Sequence, residues 1–393
     1  MDFSVYEALL QLPELRITKV KIGIESINIS CKKRAKISQK CPRCKSIVER
    51  KTPKYIRKIR DLNISGRAVY LELESHQYLC ECGSHFMEQF DFVESGKSYS
   101  KRQSKWIIEM SRKQSHTEVG RLEKMNHKTV ERICYRSVLK RIIDWTKIKR
   151  IGIDEFAFKK GHKDFITIIV DLDTHEIIDL LEYRDKDALR VYFQGLGTEV
   201  CERVEDFCSD MWGPFQDLAA ELFTKALIHI DRFHWTTYLN KIVDDFRKEL
   251  RREDKNIEAF KRLKWKLIKG KSKLSLADKE DLNNAFTQSP ELEEVYQMKH
   301  TFQAIFDAKF SYKLAVKQIE VWMENAKVLN NKYVDEFIAF FDRHESNILN
   351  YFKRPITSAV VEGKNNILRT IKRFTFNMSN FDNFKARVFS FST

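Results

Sequence analysis

Four cysteines and a few acids carry the chemistry this chain could perform. Cys41-Pro-Arg-Cys44 is a two-residue knuckle whose thiolates can point at one ion, and Cys80-Glu-Cys82 offers two more after an intervening segment. Four sulfurs around Zn²⁺ form a closed structural site, and this spacing suggests one. The one-residue gap in the second pair is less diagnostic than a second two-residue gap. His76, His85 or Cys31 therefore stands as a substitute ligand, and unliganded cysteines filling a small core are the plain alternative. Five of the eight cysteines lie in the first quarter of the chain, a clustering that favours metal over a disulfide framework.

The acids matter where they end strands. Asp154 stands in an apolar run, IGIDEFAF, where a carboxylate is costly unless it is hydrogen-bonded or near a cation. Asp210 follows VEDFCS and Asp231 follows ALIHI, each at the end of a predicted strand, and Glu362 lies on the predicted last helix. Two carboxylates on neighbouring strands and one on a packed helix make an all-oxygen set suited to Mg²⁺, with Mn²⁺ as a substitute. A pair of such ions polarises a phosphodiester, generates hydroxide and stabilises the leaving oxygen. Each acid also has a structural explanation: Asp154 as a satisfied turn or ladder acceptor, Asp210 as a helix cap, Glu362 as a first-turn residue favoured by the helix dipole. His234, three residues after Asp231 in DRFH, can bond Asp231 or a phosphate, so both are auxiliary candidates.

The elements that must position these groups follow from periodicity. Up to about Ser98 the chain is short-stranded, with VYLELESHQYLC alternating as a strand, and a β-rich module of that size has a small core that a metal would staple. From Arg150 three strands are predicted, Arg150 to Phe158, Asp164 to Asp171 and His175 to Glu182, with turns at Gly161 and at Asp171 to Thr174. A helix over Lys186 to Leu196, a strand over Arg203 to Ser209, a helix from Pro214 to Phe223 and the strand ALIHI follow. Three consecutive strands, then helix, strand, helix and strand, describe an α/β core with an antiparallel portion and helical crossovers. Residues 235–351 stay helical and charged, reading as a helical insertion in that core. The last helix is predicted from a cap at Ser358 through AVVEGKNNILRTIKRF. Its apolar side is Val360, Val361, Ile367, Leu368, Ile371 and Phe374, and Glu362, Asn365, Asn366, Arg369 and Arg373 are placed on the other.

Charge indicates the partner. The chain has 393 residues and a formal net charge of +15, a field that attracts a polyanion. Residues 99–150 hold 15 Lys or Arg against 5 Asp or Glu, so most of the surplus sits in one segment. There SHTEVGRLEKMNHKTVERICYRSVLKRI reads as two helices joined by a short turn around Met125 and Asn126, the spacing of a helix-turn-helix. Its second helix starts near His127 and presents Lys128, Thr129 and Arg132 outward for DNA contact; a charged, solvated helical bundle is the bland alternative. No apolar stretch approaches 18 residues, and the N-terminus lacks the pattern of a secretory signal, so neither a membrane span nor secretion is expected.

In order along the chain, the cysteine module, the basic helix pair, GIDEFAFKKGHKDFITIIVD, DRFH and the closing EGKNNILRTIKRF resemble the ISL-three family of bacterial insertion-sequence transposases over almost the full length. The resemblance implies a multidomain protein with a β-rich zinc-binding module (1–98), a helix-turn-helix domain (99–148) and a ribonuclease-H-like core (149–234 and 352–393) interrupted by a helical insertion (235–351). It implies a Mg²⁺-dependent nuclease and strand transferase, with Asp154, Asp210 and Glu362 as the catalytic carboxylates. Asp210 is preferred to Asp231 because the family fold places its second acid after the fourth strand. Asp231 and His234 resemble the auxiliary Asp-x-x-His of related groups. Terminal inverted repeats and target DNA are the implied substrates, and a homodimer or higher oligomer on DNA the implied assembly, in the bacterial cytoplasm at the nucleoid. Lys159, Lys160, Arg369, Lys372 and Arg373 would contact phosphates, and Asn365 and Asn366 would orient Glu362 or contact DNA. NILRTIKR where relatives are Lys-rich, and FTFNMSNFDNF without the usual glycine, depart from the pattern. A catalytically inactive DNA-binding regulator, a nuclease that cuts without joining and a basic scaffold or RNA binder are the alternatives.

Overall fold

The computed structural model describes residues 3–34, 38–49, 51, 53–94, 96–138, 143–159, 164–253, 260–375, 378 and 380–392, so Lys160 and the Gly161 turn lie outside it. The chain forms two compact units, Met1–Arg141 with Ile371–Thr393, and Ile142–Thr370.

The first unit runs through α1 (Ser4–Leu10), β1 (Leu15–Ile22), β2 (Ser26–Lys33), β3 (Gln39–Lys40), β4 (Ile47–Val48), β5 (Tyr55–Ile64), β6 (Arg67–Ser75), β7 (Gln77–Leu79) and β8 (His85–Met87). The main sheet has the order β1-β2-β6-β5. Alternate residues Val69, Leu71 and Leu73 of β6 are fully buried with Ile59 of β5, as the two-residue strand period requires. The run VYLELESHQYLC, expected as one strand, is two. His76 leaves the large sheet because its backbone pairs with Glu88, N–H to the carboxylate at 3.0 Å and C=O to the Glu88 N–H at 2.9 Å. That break sends β7 into a small hairpin with β8 and carries Cys80 with it.

Three helices follow, α2 (Lys101–Ser111), α3 (His116–Leu122) and α4 (His127–Val138), with the C-terminal helix Phe381–Ser392 packed on α4. Ser100 and Ser115 cap α2 and α3, and Asn126 accepts the Lys128 N–H at 2.8 Å where α4 begins. A Cβ on Gly120 would lie 2.7 Å from the Met125 carbonyl, so the tight turn between α3 and α4 depends on glycine there. Glu123 in that turn is 4% exposed and accepts from Gln103 at 3.0 Å, Trp106 at 2.8 Å and Asn63 at 3.2 Å, which ties the turn to α2 and β5.

The second unit contains β9 (Arg150–Ala157), β10 (Phe165–Asp171), β11 (Ile177–Leu181), α5 (Lys186–Gly195), α6 (Thr198–Arg203), β12 (Asp206–Ser209), α7 (Gly213–Leu222) and β13 (Leu227–Ile230). The sheet order is β11-β10-β9-β12-β13; β9, β10 and β11 are antiparallel neighbours, and β12 is parallel to both β9 and β13. The strand expected from Arg203 begins only at Asp206. Residues 198–203 are helical because Cys201 and Val204, three apart, both turn into the core. Six helices then pack around an aromatic core with Trp235, Phe302, Phe337 and Phe341: α8 (Arg232–Glu253), α9 (Lys264–Ile268), α10 (Leu276–Gln288), α11 (Pro290–Asp307), α12 (Tyr312–Val328) and α13 (Lys332–Leu349). Among the described residues of 235–351 there is no strand. Helix α14 (Ala359–Phe374) returns to the sheet. No helix among the described residues is long and apolar enough to cross a membrane.

Candidate functional site

Period two along β9 sends Ile151 and Ile153 into the core under α5 and α7, and turns Gly152 and Asp154 to the opposite face. Helix α14 lies on that face. A Cβ on Gly152 would meet Val361 Cγ2 at 2.5 Å and Leu172 Cδ2 at 2.8 Å, so the helix seats only because this strand residue has no side chain. Two residues along the strand, Asp154 Oδ2 accepts from Asn365 Nδ2 at 2.7 Å. Two strand residues span about 6.6 Å and four helix residues about 6 Å. The contacts 152–361 and 154–365 therefore set α14 running alongside β9 in the same direction.

This corrects the face expected for Asn365. It is 2% exposed and turned inward on Asp154, not outward with Asn366 and Arg369. Val361, Asn365 and Leu368 are the buried stripe at i, i+4 and i+7, and Glu362 lies at its margin.

The register places the acids in a row. Cys208 of β12 pairs with Gly152 of β9, so two residues on, Asp210 comes level with Asp154; Ser209 pairs with Ile230, so Asp231 comes level with Asp210. Neighbouring strands stand about 4.8 Å apart. Asp154 is 9% exposed, and burial pushes its carboxyl up to about 6; the charges of Asp210 and Glu362 add to that rise, and the Glu155 N–H and His234 oppose it. Burial likewise raises Asp210, with Asp231 adding and the Trp212 N–H, His234 and Arg184 opposing. Asp154 thus feels the charges of both Asp210 and Glu362, and His234 lies beside Asp154 and Asp210. Two carboxylates, Asp154 and Asp210, that burial disfavours as anions are short of positive charge, and a hard divalent cation fits them. Asn365 Oδ1, buried and without a hydrogen-bond partner, adds an unused oxygen beside Asp154.

Asp231 sits differently. It is 3% exposed, its Oδ1 accepts the Ser358 N–H at 2.9 Å, and its Oδ2 lies 3.9 Å from His234 Nε2. Glu362 is paired with Arg369 at 3.1 Å, and Arg369 also donates to Asn366 at 2.6 Å. Lys159 is exposed and pairs with Asp164 at 3.1 Å; Arg373 is exposed and Lys372 half-buried. Two residues of this region were not singled out from the sequence. Gly152 had a signal, a glycine inside a strand pattern two residues before an acid, which marks close approach of another element. Arg184, paired with Glu155 at 2.7 Å and set over the rings of Phe165 and Trp212, had none, because its partners are brought in by the fold.

In the first unit the sulfurs of Cys41, Cys44, Cys80 and Cys82 all lie within 4.8 Å of one another, with Cys41 and Cys82 3.6 Å apart and Cys44 and Cys80 3.4 Å apart. A zinc tetrahedron with metal–sulfur bonds of about 2.3 Å has edges of about 3.8 Å, so the four thiols fit zinc. Cys31 is instead buried in the sheet core, its thiol raised to about 12 by burial, and His76 and His85 stand outside the sulfur cluster. On α4, Lys128 and Arg132 are exposed and Thr129 is half-buried; Arg132 is held along its own helix by the Lys128 carbonyl at 3.1 Å and Thr129 Oγ1 at 3.2 Å. Beside them a cleft of about 520 Å³ is lined by Lys97, Arg132 and Arg136 and, among the described residues, by no carboxylate.

Residues 151–388 match the ISL3 family described as Transposase, and residues 38–83 match the zinc-finger of transposase IS204/IS1001/IS1096/IS1165. The chain is 23% identical over 358 residues to a transposase for insertion sequence element IS1001 from Bordetella parapertussis, across 88% of this chain and 87% of that one. It is 22% identical over 376 residues to a transposase for insertion sequence element IS1557 from Mycobacterium tuberculosis, across 87% and 83%. With the cysteine cluster inside one match and the row of acids inside the other, the chain belongs to the ISL3 family of transposases.

Proposed function

We propose that this transposase cuts the ends of its element and joins them to target DNA at a centre made by Asp154, Asp210 and Glu362. The observation that carries this reading is the row formed by Asp154 and Asp210 on neighbouring parallel strands, with α14 seated on the same face to bring Glu362 to Asp154. The chain-order arrangement of the sheet, third, second, first, fourth and fifth strand, supports a ribonuclease-H-like core, in which the second acid follows the fourth strand. Asp210 stands after that strand and acts on Asp154, while one oxygen of Asp231 is taken by the Ser358 N–H.

The three carboxylates would hold Mg²⁺, which when bound supplies a water of lowered pKa and neutralises charge on the leaving oxygen. The chain's own groups bind and orient. Asn365 and the Glu155 N–H fix the two oxygens of Asp154, and the Trp212 N–H fixes Asp210 at 3.0 Å. In the first step a water oxygen bonds to phosphorus and the bond to the element's 3′-oxygen breaks, leaving a 3′-hydroxyl and a 5′-phosphate. In the second, that 3′-oxygen bonds to a target phosphorus and a target 3′-hydroxyl leaves. No covalent protein intermediate is needed.

Helices α3 and α4 would act as a helix-turn-helix that, with the zinc module, binds the terminal inverted repeats, with Lys128, Thr129 and Arg132 facing the duplex. Exposed Lys159, Arg369 and Arg373 are suited to backbone phosphates. Joining two ends requires two copies on DNA.

The test is cleavage and joining of labelled DNA carrying the element's inverted repeats, with Mg²⁺ or Mn²⁺, by wild type, D154A, D210A and E362A. Both products from wild type, and neither from the three variants while DNA binding persists, supports the reading. Wild type that binds repeats without cutting points to a regulator, and cutting without joining points to a nuclease.

A further inference from the structure

The connector from the helical insertion to α14 is tied to the sheet at four-residue intervals. Asn350 Nδ2 donates to the Ile228 carbonyl at 2.9 Å, Arg354 Nη1 donates to Asp206 at 2.7 Å, and the Ser358 N–H donates to Asp231 at 2.9 Å. The third tie differs from the others because its acceptor stands in the row of acids. Ser358 also begins the helix ladder, its carbonyl accepting the Glu362 N–H at 3.0 Å. The chain of bonds from Asp231 through Ser358 to Glu362 is therefore two links long, and both Asp231 and Ser358 are buried, at 3% and 4% exposed. A carboxylate at a helix N-terminus also sits where the helix dipole favours it. One turn beyond Glu362, Asn365 pins the same helix to Asp154.

We propose that Asp231 is a positioning residue, which latches the first turn of α14 through the Ser358 N–H and so sets Glu362 against Asp154 and Asp210, and that it is not a ligand of the cation. This rests on the reading of those three acids as the centre. What the latch needs from residue 231 is an acceptor oxygen of the right reach, which asparagine keeps and alanine lacks. A cation ligand would need the negative charge, which asparagine lacks as well.

The experiment compares wild type, D231N, D231A, S358P and D210N by Mn²⁺ titration calorimetry, by end cleavage and by metal-free thermal melting. S358P removes the donor and leaves Asp231 in place, and proline is tolerated at the start of a helix. Expected is D231N cleaving within about tenfold of wild type, because a neutral acceptor keeps roughly half of a charge-assisted bond. Its Mn²⁺ affinity should be close to that of wild type. D231A and S358P should each lose about 100-fold in cleavage, the scale of a 1 Å misplacement, and bind Mn²⁺ more weakly. D231N that loses Mn²⁺ affinity as fully as D210N overturns the proposal, and so does S358P that matches wild type. Should D231A fail to fold, D231N and S358P decide the matter. Wild type that cuts no DNA sinks the reading of the centre alone, and the order of Mn²⁺ affinities still decides the latch.

Discussion

Asn365 donates to Asp154 at 2.7 Å from the residue one helical turn past Glu362, so a single helix both contributes one acid of the row's neighbourhood and holds another in place. The bond uses one of the amide's two N–H donors, and a carboxamide N–H₂ can face a carboxylate without adding charge. N365A is expected to lower end cleavage by about 10- to 100-fold, the range for a displaced reacting group, with the fold retained. N365D places a second carboxylate against Asp154 and is expected to be the worse of the two. Cleavage kinetics beside circular dichroism check this; N365D matching or exceeding N365A would remove the electrostatic argument.

Gly152 has no room for a methyl group. The clash falls on Val361 of α14, which is fully buried, and on Leu172, so G152A pushes the helix away from β9 or forces both side chains off their rotamers. Overpacking of this kind costs about 1–3 kcal/mol. G152A is expected to lower the melting temperature and reduce cleavage, with DNA binding little changed. Trimming the neighbour in G152A/V361A should recover part of both losses. A double variant no better than the single one would show that the strand, not the helix contact, is what glycine serves.

Strands β9 to β11 were legible because they run apolar between polar turns, and the acids because β12 and β13 each end just before one, so that an error at a strand's start leaves the acid in place. The helical insertion was legible from its long runs without glycine. Helix faces were harder. Asn365 is polar, and periodicity assigns polar residues outward, yet its partner Asp154 is also buried and polar, and a pair of buried groups that satisfy one another is invisible to a one-dimensional pattern. The start of the fourth strand misled for a different reason: valine at 204 suits a strand, and the expected strand began at Arg203, yet Cys201 and Val204 pack on one side, helix continues to Arg203 and the strand begins only at Asp206. Asp231 looked like its neighbours because strand ends alone do not reveal which side-chain oxygen is already taken.

The four-sulfur cluster makes metal part of the fold of its module. Strands β3, β4, β7 and β8 are two or three residues each and enclose a core of little more than Val48, Tyr78 and Phe86 beside the cysteines, too small to hold alone. C41S is expected to lose bound zinc, measured by mass spectrometry of the metal, and to open residues 38–87 to protease. C31A should keep the metal, since Cys31 belongs to the neighbouring sheet core. Equal zinc loss in both variants would place Cys31 among the ligands.

The first unit carries a histidine that is neutral by construction. His116 Nε2 accepts from Arg387 at 2.8 Å, and burial, with the Arg387 charge adding, pushes its pKa down to about 4. A folded value below the unfolded one means the unfolded chain takes up the proton first as pH falls. The stability this site contributes is complete above about pH 6.5 and is lost as pH falls through about 4. H116Q keeps an acceptor oxygen and does not titrate. Its melting temperature should fall less steeply than that of wild type between those limits, and parallel curves would assign acid sensitivity to other groups.

Arg132 tests the proposal that the helix pair α3–α4 binds DNA. Its guanidinium is exposed and held along α4 by the Lys128 carbonyl and Thr129, so it is pre-set on one line of the helix surface, beside the cleft it shares with Lys97 and Arg136. A pre-set cation facing a duplex contacts either phosphate or base, and salt dependence separates the two. If it contacts phosphate, R132A weakens binding about equally for repeat and unrelated DNA and lowers the slope of log affinity against log salt by about 1. If it reads a base edge, R132A costs about 1–3 kcal/mol on the repeat alone and leaves the slope nearly unchanged. The neighbouring cations Lys97 and Arg136 favour phosphate, so the slope change is the expected result of fluorescence-anisotropy titrations from low to moderate salt. R132A that alters neither slope nor affinity would take α4 out of the DNA interface on this face.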